Sequence, residues 1–206
     1  MAKAIGIYGG SFDPIHFGHI NLAIEMLENA GLDEVWFCPA NVNPFKLDDL
    51  PVSAEDRLSM LMLGLEGIPG CSILNAEILR PPPSYTIDTI KELLAGEAED
   101  PQGRQYYLLL GEDALESFPR WRSVHEIVTL VPLLIAGRSS SEGSGLRISD
   151  PRLREAIEKG IVATRQMDIS SSEVRQRIAQ GKCCRHLLPQ KVLDYIHRHE
   201  LYLHTV

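Results

Sequence analysis

The sequence is short of cysteine and of positive charge, and it contains no long apolar run. Its four cysteines, Cys38, Cys71, Cys183 and Cys184, follow no metal-binding spacing, so we expect reduced thiols and no protein-bound metal. With 20 Lys and Arg against 28 Asp and Glu, the formal net charge is −8, which argues against a general nucleic-acid binder. No apolar run reaches about 18 residues and no basic-then-apolar leader is present, so we expect a cytoplasmic protein without a membrane segment.

The length of 206 residues suits one domain spanning residues 1–206. Strand-like apolar segments alternate with helix-like segments, and this pattern predicts right-handed crossovers and a mostly parallel sheet. We therefore expect an α/β fold, a Rossmann-like doubly wound sheet with helices on both faces. Residues 1–165 are expected to form the core, and residues 166–206 a small C-terminal helical part. The sequence leaves the choice between a monomer and a homo-oligomer open.

The most informative stretch covers residues 5–19 and has the sequence IGIYGGSFDPIHFGH. Its apolar run predicts a buried strand over residues 3–8, and the apolar positions behind it predict a helix over residues 17–29. Gly9 and Gly10 lie between the two elements. A glycine turn between a strand and a helix N-terminus lets a phosphate reach bare backbone N–H groups, which favours an anion site here.

Two histidines, His16 and His19, follow the glycines at a spacing of three residues. Side chains three apart on a helix share a face, so both imidazoles can address one ligand, and a phosphate would raise their pKa values. Each feature alone is weak, because a Gly-Gly pair is usually a turn and a histidine pair is more often a solvated face or part of a metal site. Their order within one stretch is much more specific.

In that order the residues resemble the G-G-x-F-D-P-x-H-x-G-H signature of the nucleotidyltransferase superfamily, whose H-x-G-H is related to the HIGH motif of class I aminoacyl-tRNA synthetases. Every fixed position of the signature is matched. The stretch does not fit the dinucleotide fingerprint, which needs G-x-G-x-x-G and an acidic residue about 20 positions later. The resemblance implies a nucleotide-binding transferase.

A second constellation covers residues 169–175, with the sequence ISSSEVR. Three hydroxyls at a helix start, with an arginine one turn in, can together bind a phosphate. A serine N-cap and a solvated arginine would give the same pattern. The segment resembles the I-S-S-T-x-I-R motif of the nicotinate mononucleotide adenylyltransferases, with Ser172 where threonine is usual.

Three further segments resemble elements of the same family. Residues 83–89 resemble G-P-S-Y-T-x-D-T, residues 110–121 resemble I-G-A-D followed by P-x-W, and residues 188–196 resemble the closing L-I-P-x-x-V-x-x-Y-I. The matches span most of the chain. The main departure is N-P-F-K at residues 43–46, where many members carry P-P-H-K, so Phe45 replaces a histidine.

The resemblance implies the activity of a nicotinate-nucleotide adenylyltransferase (EC 2.7.7.18). The adenylyl group of ATP would pass to nicotinate mononucleotide, forming deamido-NAD and pyrophosphate in NAD biosynthesis. The attacking phosphate is already anionic near pH 7, so catalysis would rest on positioning and charge stabilisation, without a protein base. Mg²⁺ would arrive with the β- and γ-phosphates, which fits its preference for retaining waters over entering a carboxylate cage.

The resemblance also assigns residues to each substrate. The expected catalytic residues are His16, His19, Lys46 and Arg175. The expected ATP site comprises Ile7, Gly9, Gly10, Ser11, Phe12, His16, His19, Gly111, Asp113, Ile169, Ser171, Ser172 and Arg175. The expected nicotinate mononucleotide site comprises Ser11, Lys46, Ser84, Tyr85, Thr86 and Trp121. Trp121 would stack on the pyridine ring unless it is an ordinary core residue, and Asp113 would bind ribose or adenine unless it is a helix N-cap.

Other functions remain open at this point. Another transferase of the same fold, such as a phosphopantetheine adenylyltransferase or a cytidylyltransferase, would share the opening motif, and so would a non-catalytic nucleotide sensor. The expected partners are ATP and nicotinate mononucleotide, with neither nucleic acid nor membrane.

Four structural expectations complete the analysis. Arg57 is expected to be a structural ion-pair partner. The Ser- and Gly-rich residues 138–149 offer little to bury and are expected to be a flexible excursion without a catalytic role. A strand is expected near residues 161–164 or 167–169, and a helix is expected to start at Glu173.

Overall fold

A computed structural model describes residues 2–42, 51–99, 101–137 and 148–203. Lys46, expected to be catalytic, lies outside the described residues, and so do residues 138–147 of the expected flexible excursion. The predictions made for these positions therefore stay predictions.

Six parallel strands form one sheet within the described residues. They are β1 (Lys3–Gly10), β2 (Glu34–Pro39), β3 (Cys71–Ile73), β4 (Arg104–Leu110), β5 (Leu133–Gly137) and β6 (Ile161–Ala163). Their order is β3-β2-β1-β4-β5-β6, so the sheet grows in one direction from β1 and in the other from β4. Ligands of such sheets bind beyond the strand carboxyl ends at this switch point. The expected Rossmann-like α/β fold is confirmed.

Helices follow most of the strands. They are α1 (Phe17–Asn29), α2 (Ala54–Leu65), α3 (Ala76–Leu79), α4 (Thr86–Glu99), α5 (Glu112–Leu115), α6 (Val124–Leu130), α7 (Pro151–Gly160), α8 (Ser171–Ala179) and α9 (Gln190–Arg198), with a 3₁₀ turn at Phe118–Arg120. Local chemistry fixes several starts: Ser53 caps α2 by accepting from the Asp56 N–H, and Asp150 caps α7 with Pro151 behind it. None of the helices in these ranges is long and apolar enough to cross a membrane.

The sheet separates two hydrophobic cores. On one face, α1, α2, α8 and α9 pack around Tyr8, Phe37 and Leu109. On the other face, α4, α6 and α7 pack around Ile7 and Leu108. Successive residues of a strand point to opposite faces, which is why Ile7 and Tyr8 belong to different cores. The C-terminal helices α8 and α9 therefore share a core with the opening strand.

The structure differs from the sequence-based expectation in two places and selects one of two expected alternatives in a third. The helix α3 was not expected, because four residues carry too little apolar periodicity to indicate a helix. The helix α8 starts at Ser171 and not at Glu173, since Ser170 accepts a hydrogen bond from the Glu173 N–H and so caps it. Of the two expected positions for the last strand, only the one at Ile161–Ala163 is occupied within the described chain.

Candidate active site

The described residues assigned to the substrates gather where the strand carboxyl ends meet. Gly10 ends β1 and Leu110 ends β4, which places the loops after these strands side by side at the switch point. The loop after β2 lies next to the first, since the Ala40 N–H donates to the Gly10 carbonyl at 2.9 Å. Loops of three neighbouring strands thus lie together at the switch point, where this topology predicts a ligand crevice.

The two glycines of the opening motif do different things. A Cβ on Gly9 would meet nothing within 4 Å, so an anion could approach the backbone there. A Cβ on Gly10 would lie 2.9 Å from the ring of Phe12. Gly10 therefore leaves room for an aromatic ring, and its expected contact with ATP stays a prediction.

Phe12 is a buried support and not a ligand-binding surface. Its side chain is only 1% exposed, and its ring packs edge-on against His19 with centroids 5.0 Å apart. Its backbone has a φ of 49°, a left-handed conformation that is uncommon for a residue other than glycine. Ile7, expected against the adenine, is likewise confined to the core and 2% exposed. Neither side chain is accessible to ATP here.

His16 and His19 begin α1 and lie against each other. His16 is the N-cap residue, and its main-chain N–H donates to Nδ1 of His19 at 3.3 Å. Because Nδ1 accepts this bond, neutral His19 carries its proton on Nε2 and can donate from that atom. His19 is partly exposed. This geometry makes it the histidine able to donate to a phosphate in the crevice.

His16 has a different environment from the one expected. Its side chain is 4% exposed, its Nδ1 has no hydrogen-bond partner in the described structure, and burial lowers its pKa to about 4. A Cβ on Gly18 would lie 3.0 Å from that Nδ1, so Gly18 leaves room for the ring. Without a bound phosphate this environment keeps the ring neutral near pH 7, and the rise in its pKa that a phosphate would cause stays a prediction.

Arg175 is held at the crevice by the opening motif. Its guanidinium donates to the Asp13 carbonyl at 3.0 Å and lies 3.5 Å from the Asp13 carboxylate. The other carboxylate oxygen accepts from the Tyr202 hydroxyl at 2.6 Å. Burial raises the pKa of Asp13, while the Tyr202 hydrogen bond and the Arg175 charge oppose that rise. Asp13 therefore orients the arginine and fixes the C-terminal part against the motif.

The three serines before Arg175 also serve the structure. Ser170 is the N-cap of α8, and the Ser171 hydroxyl donates to the Pro14 carbonyl at 3.0 Å. The exposed Ser172 accepts from Arg175 at 3.3 Å. The two interpretations of this segment thus both apply: it has a serine cap, but its arginine is held and not merely solvated. The expected ATP contact through the Ser171 hydroxyl would require that hydroxyl to leave Pro14.

The remaining expected ATP residues lie around the same crevice. Gly111 follows β4, and a Cβ on it would lie 2.6 Å from the carboxylate of Asp113. Asp113 is exposed in the first turn of α5, whose N-cap is Gly111, so it is not the helix N-cap considered as its alternative. Ile169 is partly buried, and its carbonyl would lie 3.6 Å from a Cβ on Gly18. The segment before α8 therefore touches the histidine motif.

The expected nicotinate segment is built over a buried carboxyl group. Ser84 is 9% exposed, and its hydroxyl oxygen accepts from the Asn41 N–H at 2.9 Å. Glu77 on α3 lies beneath it and accepts hydrogen bonds from Thr89, at 2.9 Å, and from the hydroxyl of Ser84 and the thiol of Cys38. Burial raises the pKa of Glu77, and these partners oppose the rise. Ser84 is thus bonded within the protein, and its expected contact with nicotinate mononucleotide would require its hydroxyl to leave Glu77.

Tyr85 and Thr86 keep their expected position at the start of α4. Among the described residues their main-chain N–H groups have no hydrogen-bond partner. The guanidinium of Arg122 lies 4.6 Å from the centre of the Tyr85 ring, and it also pairs with Asp88 at 3.8 Å. The segment expected to bind a carboxylate thus has two N–H groups at a helix start and a positive charge against the ring of Tyr85. The sequence analysis missed Arg122, although it directly follows Trp121.

Trp121 is partly buried at the edge of the second core. Its indole N–H donates to the Ser117 hydroxyl at 3.2 Å, and its ring meets Phe118 edge-on at 5.3 Å. The contact between Arg122 and Tyr85 brings this segment to the start of α4. Trp121 is therefore a fixed, partly accessible aromatic side chain beside the expected nicotinate segment.

Arg57 does not have the expected ion pair as its main contact. The side chain is 1% exposed and donates to four backbone carbonyls, two of them in the loop after β2. Together with Asp13 and Glu77, it forms a set of buried charged or ionisable groups below the crevice. Sequence signals for these were weak, because only Asp13 occupies a fixed position of a motif.

A resident metal site is not built into the described residues. They contain no group of three or more His, Cys, Asp or Glu side chains that could hold a metal ion. The carboxylate of the opening motif, Asp13, is 5% exposed and already bonded to Tyr202 and Arg175, and Asp113 is a single exposed carboxylate. These residues do not fit a protein-held Mg²⁺, and its entry on the phosphates of ATP remains a prediction.

Comparison with known proteins gives the family. A family model described as cytidylyltransferase-like matches residues 7–177. A probable nicotinate-nucleotide adenylyltransferase of Bordetella avium is 40% identical over 205 residues, covering 97% of this chain and 98% of its own. One of Dehalococcoides mccartyi is 39% identical over 198 residues, or 96% of each chain.

A solved structure, Plasmodium falciparum nicotinic acid mononucleotide adenylyltransferase complexed with NaAD, has a TM-score of 0.72 over 98% of each chain. At 19% identity that likeness shows the shared fold. The relatives matched over nearly their whole length, together with the family model, establish the family. This chain belongs to the nicotinate-nucleotide adenylyltransferase family.

Proposed function

We propose that the protein transfers the adenylyl group of ATP to nicotinate mononucleotide and releases pyrophosphate. The product is nicotinate adenine dinucleotide, a step of NAD biosynthesis. The observation that carries this proposal is that one motif at the switch point of the sheet contains His19 and also binds Arg175 through Asp13. Family membership supports the same activity.

The proposed mechanism stabilises charge in the ATP phosphates. The 5′-phosphate of nicotinate mononucleotide attacks the α-phosphorus, a new phosphoanhydride bond forms, and the α–β bond breaks as pyrophosphate leaves. His19 donates from Nε2 to phosphate oxygens that gain charge during the transfer, and Arg175 balances charge on the leaving group. The exposed backbone at Gly9 leaves room for the phosphate chain. Neutral His16 holds the His19 ring by stacking and through its main-chain N–H.

The nicotinate subsite is proposed at the start of α4. The N–H groups of Tyr85 and Thr86 bind the carboxylate, since the N-terminus of a helix favours an anion. Trp121 stacks on the pyridine ring, and Arg122 adds a positive charge beside the carboxylate. Lys46 is proposed to neutralise phosphate charge, and Mg²⁺ is proposed to enter on the triphosphate.

A direct assay separates this function from its alternatives. Purified protein is mixed with Mg²⁺, ATP and nicotinate mononucleotide, and both pyrophosphate and the dinucleotide mass are measured. Parallel reactions replace ATP with CTP, or the mononucleotide with phosphopantetheine. We expect pyrophosphate and dinucleotide in the first reaction only. Turnover solely with CTP or phosphopantetheine would identify another transferase of this fold, and binding of ATP without turnover in any reaction would identify a sensor.

A further inference from the structure

Arg57 connects loops that belong to different parts of the crevice. Its guanidinium donates to the Ser11 carbonyl at 2.9 Å, to the Ala40 carbonyl at 2.6 Å and to the Asn41 carbonyl at 3.1 Å. Its Nε also donates to the Val52 carbonyl at 3.2 Å. One buried side chain on α2 thus bonds to three segments: the loop after β1, the loop after β2 and the segment that precedes α2.

A buried arginine is a costly way to join loops. Its side chain is 1% exposed, and burial lowers its pKa although the nearby Asp13 charge opposes this effect. Well-packed apolar residues often stabilise a fold as much as a buried charge does. The distinctive property of arginine is its planar fork, which fixes the geometry of several acceptors at once. The arrangement therefore points to a requirement for geometry beyond stability.

The two joined loops lead to the two proposed substrates. Ser11 lies in the opening motif, beside the proposed ATP phosphates. The main chain of Asn41 donates to the Ser84 hydroxyl at 2.9 Å, and its side chain donates to the Arg80 carbonyl at 3.0 Å. Ser84 accepts this bond directly before the proposed nicotinate subsite. A continuous path of hydrogen bonds thus runs from the ATP loop through Arg57 to the start of α4.

We propose that Arg57 is a positioning residue, which sets the distance between the two substrate subsites. The proposal rests on the adenylyl transfer proposed above, because it concerns the approach of the attacking phosphate to the α-phosphorus. Each subsite binds its own substrate through groups other than Arg57. Loosening Arg57 therefore alters the relative placement of two bound substrates and leaves the affinity for each one largely intact. A shift of about 1 Å in such a placement can lower the rate on the order of 100-fold.

The test compares Arg57→Lys with Met60→Ala, a matched control on the same helix. Lysine keeps the positive charge but lacks the planar fork that reaches carbonyls of both loops. Met60 is 0% exposed in the core and its truncation leaves a cavity, so it weakens the packing of α2 while the four hydrogen bonds of Arg57 remain. Measurements are kcat, both KM values, the Kd of each substrate alone by calorimetry, and the melting temperature.

We expect Arg57→Lys to lower kcat about 10- to 100-fold while each single-substrate Kd changes less than threefold. Met60→Ala should retain a kcat within threefold of the parent even though it melts earlier. If Arg57 is merely structural, Arg57→Lys has a normal kcat in the folded enzyme, or its kcat falls no further than that of Met60→Ala when the two variants have the same melting temperature. Either result overturns the proposal. A parent without activity would instead contradict the proposed function.

If Arg57→Lys does not fold, Ser84→Ala tests the same path at its other end. This change removes the hydroxyl oxygen that accepts from the Asn41 N–H, and it leaves Arg57 and the N–H groups of Tyr85 and Thr86 in place. The expected result is again a lower kcat, by at least threefold, with each single-substrate Kd unchanged. An unchanged kcat in folded Ser84→Ala, or a loss explained by a higher Kd for nicotinate mononucleotide, would overturn the proposal.

Discussion

The imidazole rings of His16 and His19 stack with centroids 3.7 Å apart and planes inclined by 21°. The sequence motif gives no difference between the two histidines, but their surroundings in the structure differ. His16 is buried at the N-cap, and burial holds its pKa near 4, while His19 is partly exposed and carries its proton on Nε2 when neutral. We infer that one ring is a neutral support and that the other donates to substrate.

Replacing His19 by alanine is expected to abolish efficient turnover while ATP binding weakens much less. The reason is that a donor used chiefly in the transition state is lost, which typically costs on the order of 10²–10³ in rate. Steady-state kinetics and the Kd of ATP measure the two effects separately. The control is His197→Ala, an exposed histidine on α9, which should behave like the parent. A higher KM with an intact kcat would contradict the assignment of His19.

His16 should make the stability of the protein depend on pH in the acidic range. Its folded pKa lies near 4, below the ordinary value of 6.5, so the unfolded chain binds a proton in this interval and the folded protein does not. Stability from this group is therefore complete above about pH 6.5 and is lost as the pH falls toward 4. The loss amounts to about 3 kcal/mol, at 1.36 kcal/mol per unit of pKa.

Denaturant unfolding at several pH values checks this expectation against His16→Asn. Asparagine is also a favoured N-cap residue but does not titrate. The raised pKa values of Asp13 and Glu77 act in the opposite sense, since their stability is present at low pH and lost as the pH rises. Both groups remain in the variant, so the difference between the two proteins isolates His16. If the free energy of unfolding changed with pH in the same way for parent and variant between pH 4 and 6.5, burial would not be keeping the His16 ring neutral.

Much of the fold was predictable because local sequence patterns indicate where its strands and helices begin and end. The strand and helix around the opening motif have bounds close to those expected, since apolar periodicity and the glycine turn agree there. Ser53 and Asp150 act as helix caps, as their types indicate. The gathering of site residues at strand carboxyl ends follows from the alternation of strands and helices alone.

The buried polar contacts below the crevice could not be predicted in this way. Tyr202 meets Asp13 across 189 positions of sequence, and no local pattern specifies such a pair. Glu77 lies on a helix too short to show periodicity, and its partners come from β2, from α4 and from the segment before α4. Arg57 looks like any charged residue on an amphipathic helix. Long-range packing decides which of these side chains are buried, and therefore which of them position the loops.

Trp121 is expected to bind the pyridine ring of the mononucleotide by stacking. Trp121→Ala should raise the KM for nicotinate mononucleotide about 10-fold or more and leave the KM for ATP within twofold, because stacking on a base-like ring contributes about 1–3 kcal/mol. Trp121→Phe should lie between the two. The control variant is Trp36→Phe. Trp36 lies away from the crevice loops, and its indole N–H donates to Glu34 at 2.6 Å. Equal effects on both KM values would indicate a core tryptophan.

Arg122 is expected to strengthen the preference for nicotinate over nicotinamide mononucleotide. The two rings stack equally well, so discrimination must come from the carboxylate, which the N–H groups of Tyr85 and Thr86 can bind. An amide would direct its own N–H₂ toward one of those donors and leave polar groups unpaired, at about 1–3 kcal/mol each, so a parent preference on the order of 10- to 100-fold is expected. The positive charge of Arg122 contributes less to this preference than the two N–H groups do, because its side chain is 57% exposed and solvent screens the charge.

Competition between the two mononucleotides for limiting enzyme measures the ratio of their kcat/KM values. Arg122→Gln should lower the ratio about two- to fivefold, in keeping with less than 1 kcal/mol for an exposed charge, and Arg122→Lys should retain it. Because salt screens exposed charges, added salt should lower the parent ratio toward that of Arg122→Gln and leave the ratio of the variant nearly constant. A parent ratio near one would mean that the start of α4 does not bind the carboxylate. A high ratio that neither Arg122→Gln nor salt alters would assign the whole preference to the two N–H groups, since hydrogen bonds in a desolvated subsite respond little to ionic strength.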